Sequence, residues 1–138
     1  MTERELLSTA LDAAKRAYAP YSHFCVGAAL LTADGKVYTG CNIENASYPA
    51  TICAERVAIS AAVSGGEREF EAIAIAGGRE QDIAEGILRG ECPPCGVCRQ
   101  VMAEFCRKDF KIILGTADKY SVYTLSEMLP HGFDAGSM

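Results

Sequence analysis

Two stretches decide the fold: Thr51-Ile52-Cys53-Ala54-Glu55-Arg56 and, further along the chain, Pro94-Cys95-Gly96-Val97-Cys98. Each carries cysteine at the start of a predicted helix, where the helix dipole favours the thiolate form. The second stretch spaces its cysteines so that both thiols face one side of the helix. A catalytic zinc ion takes three protein ligands and keeps a fourth position for water. We therefore interpret Cys53, Cys95 and Cys98 as the ligands of one zinc ion. The two stretches are then the two halves of one metal site, and the rest of the chain is the scaffold that brings them together.

Glu55 distinguishes a catalytic site from a structural one. Residues 53 and 55 are about 200° apart around a helix, but in the first turn both side chains can reach a point beyond the helix end. A carboxylate there can take a proton from water and deliver it to a substrate nitrogen. Arg56 can donate hydrogen bonds to thiolates, which matters because three thiolates and Zn²⁺ leave one net negative charge. The alternative for Glu55 and Arg56 is an ordinary solvated helix start.

The choice of cysteines leaves alternatives open. Taken alone, the pair Cys95 and Cys98 suits a redox site or a structural ligand pair equally well. Cys92-Pro93-Pro94-Cys95 is a second pair with the same spacing. We prefer Cys95 and Cys98 because a helix brings their thiols together, whereas prolines favour extended chain. A non-enzymatic zinc module, closed by Cys92 as a fourth ligand, is the competing interpretation.

Composition limits the other function classes. The chain has 138 residues, 49% hydrophobic and 22% charged, which predicts a single catalytic domain over 1–138. Its net charge of −5 argues against binding nucleic acid or an anionic membrane. The charged start and the lack of a long apolar segment predict a cytoplasmic protein. Seven cysteines, an odd number, favour metal-bound or catalytic thiols over a disulfide framework.

The hydrophobic pattern predicts an α/β fold: a three-layer α-β-α sandwich around a mixed sheet of about five strands. Gly27 and its neighbouring alanines indicate that a helix backbone packs closely against the first strand. The polar side chains of residues 42–45 follow the second strand, and a plain polar loop is their simplest interpretation. The predicted elements are a helix over 2–18 ended by Pro20, with Leu6, Leu7, Ala10, Leu11, Ala14, Ala17 and Tyr18 as its apolar face; a strand hairpin over 24–32 and 37–43 that turns at Asp34-Gly35; a helix over 50–64; a buried strand over 72–76; a long loop over 77–91; a helix over 95–107; strands over 110–114 and 120–123; and a short helix capped by Thr124.

The chain resembles the small, homotetrameric zinc-dependent cytidine deaminases of the cytidine and deoxycytidylate deaminase superfamily. Cys53-Ala54-Glu55-Arg56 and Pro94-Cys95-Gly96-Val97-Cys98-Arg99-Gln100 match the deaminase signature, with Cys in place of its first His. The resemblance runs from about Tyr18 to Phe133. It includes Ala19-Pro20-Tyr21-Ser22, Phe24-x-Val26-Gly27-Ala28-Ala29, Cys41-Asn42-Ile43-Glu44-Asn45-Ala46-Ser47-Tyr48 and Leu129-Pro130-x-x-Phe133.

This resemblance implies a role for each matching residue. Zinc would be held by Cys53, Cys95 and Cys98, and Glu55 would move protons during hydrolysis of the cytosine amino group. The remaining implied contacts are Phe24 packing on the nucleoside, Asn42 and Glu44 on the ribose hydroxyls, the backbone of Ala54 on the base, Arg56 on the thiolate charge, and Tyr48 and Phe133 completing a neighbouring subunit's pocket.

The implied function is hydrolytic deamination of cytidine and 2′-deoxycytidine in pyrimidine salvage. A relative acting on another aminated heterocycle, such as blasticidin S, is the alternative within the same chemistry. The pair Asn42 and Glu44 favours the nucleoside, because a substrate without ribose gives those residues nothing to bind. A polynucleotide deaminase is disfavoured by the negative charge and by the lack of a basic aromatic groove.

Overall fold

The computed structural model describes residues 1–138 and is organised around one five-stranded sheet in the order β2-β1-β3-β4-β5. Strands β3 and β4 are parallel, and every other neighbouring pair is antiparallel. None of the helices combines the length and the hydropathy needed to cross a lipid bilayer. The elements are α1 (Glu3–Ala14), β1 (Phe24–Thr32), β2 (Val37–Cys41), α2 (Ala54–Ser64), β3 (Phe70–Arg79), α3 (Glu80–Ala84), α4 (Gly96–Phe105), β4 (Lys111–Gly115), β5 (Tyr120–Thr124) and α5 (Leu125–Met128), with 3₁₀ turns at Tyr48–Ala50 and Ala135–Ser137.

Helices cover both faces of the sheet, so the predicted three-layer sandwich around a mixed sheet is confirmed. On one face, α1 packs on alternate residues of β1, β3 and β4. On the other face, α2 and α4 pack on the remaining alternate residues of the same strands. Residues 72–77 of β3 are covered on both sides, which explains their continuous apolar run without alternation.

Gly27 permits the close contact between α1 and the sheet. A Cβ atom at this position would overlap the carbonyl oxygen of Ala10 and the backbone nitrogen of Ala14. The backbone of α1 therefore lies directly on β1, as the small residues of the strand predicted. Alanines dominate this interface on both sides, with Ala10, Ala14 and Ala29 fully buried.

Helix α1 is shorter than predicted. It ends at Ala14, whereas the sequence pattern extended to Tyr18 and assigned the stop to Pro20. The physical reason is that Tyr18 uses its backbone elsewhere: its N–H donates to the Asn42 carbonyl and its carbonyl accepts from the Glu44 N–H. Tyr18 is 57% exposed and contributes nothing to the core face.

Helix α2 also starts later than predicted, at Ala54 instead of Ala50. Pro49 lies in the short 3₁₀ turn, and Ile52 then pairs with Ile43 through two backbone hydrogen bonds of 3.0 Å. That bridge keeps residues 51–53 extended, so Cys53 is the N-cap residue of α2 and not a member of its first turn.

The segment 77–91 is less irregular than the predicted loop. Strand β3 continues to Arg79, and α3 follows directly. Ile83 of α3 is 1% exposed and packs with Ala14 on the α1 face of the sheet. The guanidinium of Arg89 closes the segment with two hydrogen bonds to Asp82, at 2.8 and 3.1 Å.

We expect Gly27→Ala to lower the free energy of unfolding by about 2–3 kcal/mol, because the added methyl group must push α1 away from β1. Gly90→Ala is the matched control, since nothing lies within 4 Å of a Cβ built there. That control should change stability by less than about 0.5 kcal/mol. Urea denaturation of both variants measures the difference, and equal stabilities would contradict the close contact at Gly27.

Candidate metal centre and active site

Backbone pairing brings the two predicted halves of the site together. The bridge between Ile43 and Ile52 fixes the approach to α2, and Gly40 in β2 allows the first turn of that helix to lie on the sheet. A Cβ at Gly40 would stand 2.5 Å from the Ala54 carbonyl oxygen. Cys53 and Cys95 are the N-cap residues of α2 and α4, and their Sγ atoms lie 3.8 Å apart, so the two helices begin close together.

The three predicted cysteine sulfurs form one cluster. The Sγ atom of Cys95 lies 3.8 Å from that of Cys53 and 3.5 Å from that of Cys98, and all three lie within 4.8 Å of one another. A tetrahedral zinc ion with Zn–S bonds of about 2.3 Å separates its sulfur ligands by about 3.8 Å. The donor type and the spacing therefore fit zinc, and the cluster could hold one metal ion.

Electrostatics also favour a cation at this point. Hydrogen bonding from Cys98, supported by Arg56, lowers the pKa of the Cys53 thiol to about 5. The hydrogen bond to Cys53, together with burial, raises the pKa of Cys98. Adjacent thiolates repel each other, so the three sulfurs could all ionise only around a cation. A divalent cation would replace their protons and remove the repulsion.

Arg56 lies beside the cluster, as predicted. Its Nη2 atom is 3.7 Å from the Cys53 sulfur and donates a second hydrogen bond to the Thr51 carbonyl at 3.3 Å. Its buried Nε atom has no protein partner. The guanidinium is held by Thr51, a residue that the sequence analysis quoted without assigning a role.

Glu55 is 4% exposed, which is rare for a carboxylate that forms no ion pair. Burial raises its pKa, the charge of Cys53 raises it further, and hydrogen bonding with Cys98 opposes the rise. The carboxyl group therefore holds a proton more readily than a surface glutamate. Such a carboxyl group is suited to general acid–base chemistry near neutral pH.

The side-chain amide of Asn42 makes two hydrogen bonds to the backbone of β1. Its Oδ1 atom accepts from the Val26 N–H at 2.9 Å, and its Nδ2 atom donates to the Phe24 carbonyl at 2.9 Å. One N–H and one lone pair of the amide remain free. The predicted polar residue thus also anchors the start of the strand that carries Phe24.

Glu44 is held by the turn that precedes Phe24. Its Oε1 atom accepts from the backbone N–H groups of Tyr21 and Ser22, at 2.9 and 3.1 Å, and its Oε2 atom accepts from the Ser22 hydroxyl at 2.5 Å. These hydrogen bonds, led by the one from the Ser22 hydroxyl, lower the pKa of Glu44. The carboxylate is therefore charged and can accept one more hydrogen bond.

The remaining predicted contacts differ in exposure. Ala54 is fully buried at the start of α2, whereas Phe24 is 41% exposed at the start of β1. Tyr48 and Phe133 are 73% and 61% exposed. The carbonyl of Phe133 accepts a hydrogen bond from Gln100 of α4 at 2.7 Å, so the C-terminal segment is tied to the helix that carries Cys98.

Cys92 lies outside the sulfur cluster. Its side chain packs against Gly77 of β3, where an added Cβ would stand 2.6 Å from the sulfur. Burial raises the pKa of Cys92 to about 11, so it is a thiol at neutral pH. Cys25 is buried, Cys106 packs against the core, and Cys41 is half-buried at the end of β2.

Two residues with supporting contacts received no role in the sequence analysis. Ser22 holds Glu44, and Arg99 donates to the Pro94 carbonyl at 2.8 Å and to the Met128 carbonyl at 2.7 Å. Both occur in the quoted motifs. Glu44 and Met128 are distant in sequence from Ser22 and Arg99, so spacing alone gave no signal for these contacts.

Comparison with known proteins agrees with this arrangement. Residues 1–114 match the family model described as the cytidine and deoxycytidylate deaminase zinc-binding region. The cytidine deaminase of Halalkalibacterium halodurans is 46% identical over 100% of this chain and 98% of its own length. That of Sporosarcina psychrophila is 42% identical over 96% and 92%.

Solved structures lead to the same family. The crystal structure of cytidine deaminase from Burkholderia pseudomallei superposes with a TM-score of 0.85 at 43% identity, covering 96% of this chain and 100% of that one. A blasticidin-S deaminase from Bacillus cereus is 29% identical over 91% of the chain and 88% of its own length. With its zinc-binding region, its mixed sheet and its cysteine cluster, the chain belongs to the cytidine deaminase family.

Proposed function

We propose that this protein catalyses the hydrolytic deamination of cytidine and 2′-deoxycytidine to uridine and 2′-deoxyuridine, with release of ammonia. One observation carries the proposal: three cysteine sulfurs lie within 4.8 Å of one another, and Glu55, two residues after Cys53, is a buried carboxyl group with a raised pKa. A structural zinc site has no use for such a group, and it usually closes with a fourth protein ligand. Cys92, the candidate for that ligand, packs against Gly77 instead.

In this proposal Cys53, Cys95 and Cys98 hold the zinc ion, and Arg56 offsets part of their charge. Zinc held by these residues would supply Lewis acidity that lowers the pKa of the attacking water. Too much thiolate charge would weaken that effect. The hydrogen bond from Arg56 to Cys53, at 3.7 Å, therefore supports a tuning role for the guanidinium.

Glu55 carries the protons. As a carboxylate it accepts a proton from the attacking water and delivers it to N3 of cytosine, which makes C4 more electrophilic. It then delivers the second proton of that water to the amino group, which leaves as ammonia. Water thus supplies the oxygen of the new carbonyl group. The raised pKa of Glu55 supports this role, because a group that both accepts and donates works best with a pKa near the operating pH.

Asn42 and Glu44 bind the sugar in this proposal. After their contacts with the turn and strand, Asn42 keeps one donor and Glu44 one acceptor site. A single hydroxyl that donates to Glu44 and accepts from Asn42 satisfies both. A site that reads one sugar hydroxyl has no means to reject a nucleoside that lacks another, which supports the use of both cytidine and 2′-deoxycytidine. Phe24 packs on the nucleoside, and the backbone of Ala54 contacts the base.

We also propose a homotetramer in which Tyr48 and Phe133 complete the pocket of a neighbouring subunit. Large apolar side chains exposed near the site support this arrangement, since isolated chains seldom leave such groups clustered in water. They are Tyr18, Tyr21, Phe24, Ile43, Tyr48 and Phe133, between 41% and 73% exposed. The proposal further takes residues 1–138 as one catalytic domain that works in the cytoplasm, in pyrimidine salvage.

We expect Cys98→Ser to lose most of its bound zinc, because a neutral hydroxyl replaces a buried thiolate ligand. Cys92→Ser is the matched control and should keep one zinc ion per chain. Metal analysis of the purified proteins measures both contents. Loss of zinc in the Cys92→Ser variant would overturn the assignment of ligands.

We expect Glu55→Gln to retain zinc and lose activity by at least about 1000-fold, since the amide can neither accept nor donate the transferred proton. The fall in ultraviolet absorbance on conversion of cytidine or 2′-deoxycytidine measures turnover, with a chelator-treated sample as the control. A variant with near-normal kcat would remove Glu55 from this role. A wild-type protein inactive on both nucleosides would contradict the proposed function.

Subunit mixing tests the shared pocket. Phe133→Ala and Glu55→Gln chains, each with low activity alone, should regain activity when unfolded together and refolded as mixed tetramers. Some pockets then combine Glu55 from one chain with Phe133 from another. Light scattering on a sizing column verifies the assembly. Ile87→Ala, a substitution at another exposed apolar residue, is the control for Phe133→Ala. Mixed tetramers without regained activity would place Phe133 outside the neighbour's pocket.

A further inference from the structure

The hydroxyl of Ser22 links two of the predicted substrate contacts. It donates to the Oε2 atom of Glu44 at 2.5 Å and accepts from the backbone N–H of Phe24 at 3.0 Å. A serine hydroxyl has one proton and two lone pairs, so it can make both bonds at once. The bond from Phe24 occupies a lone pair and so directs the hydroxyl proton towards Glu44.

This hydroxyl completes the set of donors that fixes the Glu44 carboxylate. The backbone N–H groups of Tyr21 and Ser22 bind only its Oε1 atom, at 2.9 and 3.1 Å. Without the Ser22 hydroxyl, Oε2 would have no donor and the carboxylate could rotate about its last torsion angle. With it, both oxygens are fixed and one acceptor site is left with a defined direction.

The turn around Ser22 is itself tightly held. His23 has a φ angle of 57°, in the left-handed region that non-glycine residues seldom adopt. Its N–H donates to the Ala19 carbonyl at 2.9 Å, and its carbonyl accepts from the Glu80 N–H at 2.9 Å. A backbone conformation of this kind persists only where its surroundings enforce it, and it is found most often at functional sites.

We propose that Ser22 is a positioning residue that orients Glu44 towards the sugar hydroxyl of the substrate. The proposal rests on the proposed function, because it takes the sugar as the ligand of Glu44. Ser22 itself does not touch the reacting atoms, so its effect belongs to substrate binding and not to the chemical step.

Kinetics of Ser22→Ala test this role. We expect KM for cytidine to rise about tenfold, the size of one hydrogen bond to a charged group, while kcat changes less than about twofold. Ser22→Thr, which keeps the hydroxyl, should restore KM. Ser8→Ala, at an exposed serine of α1, is the matched control and should leave both constants unchanged. Unchanged KM in Ser22→Ala, or no recovery in Ser22→Thr, would overturn the proposal.

A second substrate separates positioning from a general loss of structure. 2′,3′-Dideoxycytidine lacks the ring hydroxyls, so Glu44 has nothing to bind and the loss of kcat/KM caused by Ser22→Ala should shrink to about twofold or less. A damaged fold would lower kcat/KM equally for both nucleosides, and that result would overturn the role. Calorimetric binding of uridine should weaken about tenfold in the same variant.

These outcomes separate the two proposals. A wild-type protein that does not convert cytidine contradicts the proposed function. An active wild-type protein with an unaffected Ser22→Ala variant contradicts only the positioning role.

Discussion

The close approach of α2 to β2 is the constraint on which the site depends. Gly40 has no side chain, which leaves room for the backbone of α2. A Cβ built at Gly40 would stand 2.5 Å from the Ala54 carbonyl oxygen and 2.6 Å from the Ala58 nitrogen. This contact sets the depth of the first turn of α2, and the bridge between Ile43 and Ile52 sets the point where that turn begins. Because Cys53 and Glu55 belong to the same few residues, the position of one fixes the position of the other.

The negative charge of the cysteine cluster explains why positive groups surround it. Three thiols and a buried carboxyl group cannot all ionise together without a cation, since like charges at 4 Å repel strongly in a medium of low dielectric. The helix N-termini at Cys53 and Cys95 and the guanidinium of Arg56 supply part of the positive potential. What they leave unbalanced is the charge that a divalent metal ion provides.

The sequence predicted the layers, the sheet and the three clustered cysteines, because these follow from periodicity and from the spacing of ligands. It misplaced the end of α1 and the start of α2, since both are decided by backbone bridges of Tyr18 and Ile52 to residues 42–44, just beyond β2. Pairing between distant segments leaves no local signal. The same reason hid the role of Ser22, whose partner is the distant carboxylate of Glu44, and the contact of Arg99 with the distant carbonyl of Met128.

Asn42 and Glu44 show how one residue can serve both the fold and the ligand. A plain polar loop would leave their side chains in water. Glu44 instead uses three of its about four acceptor sites, and Asn42 half of its amide groups, on the turn and strand around Phe24. Those bonds fix the direction of the capacity that is left, so little side-chain entropy remains to be lost when a hydroxyl binds. Ser22 belongs to this arrangement because it supplies the only donor on the Oε2 atom of Glu44. The substrate preference proposed for the site therefore depends on a turn whose residues need not touch the base at all.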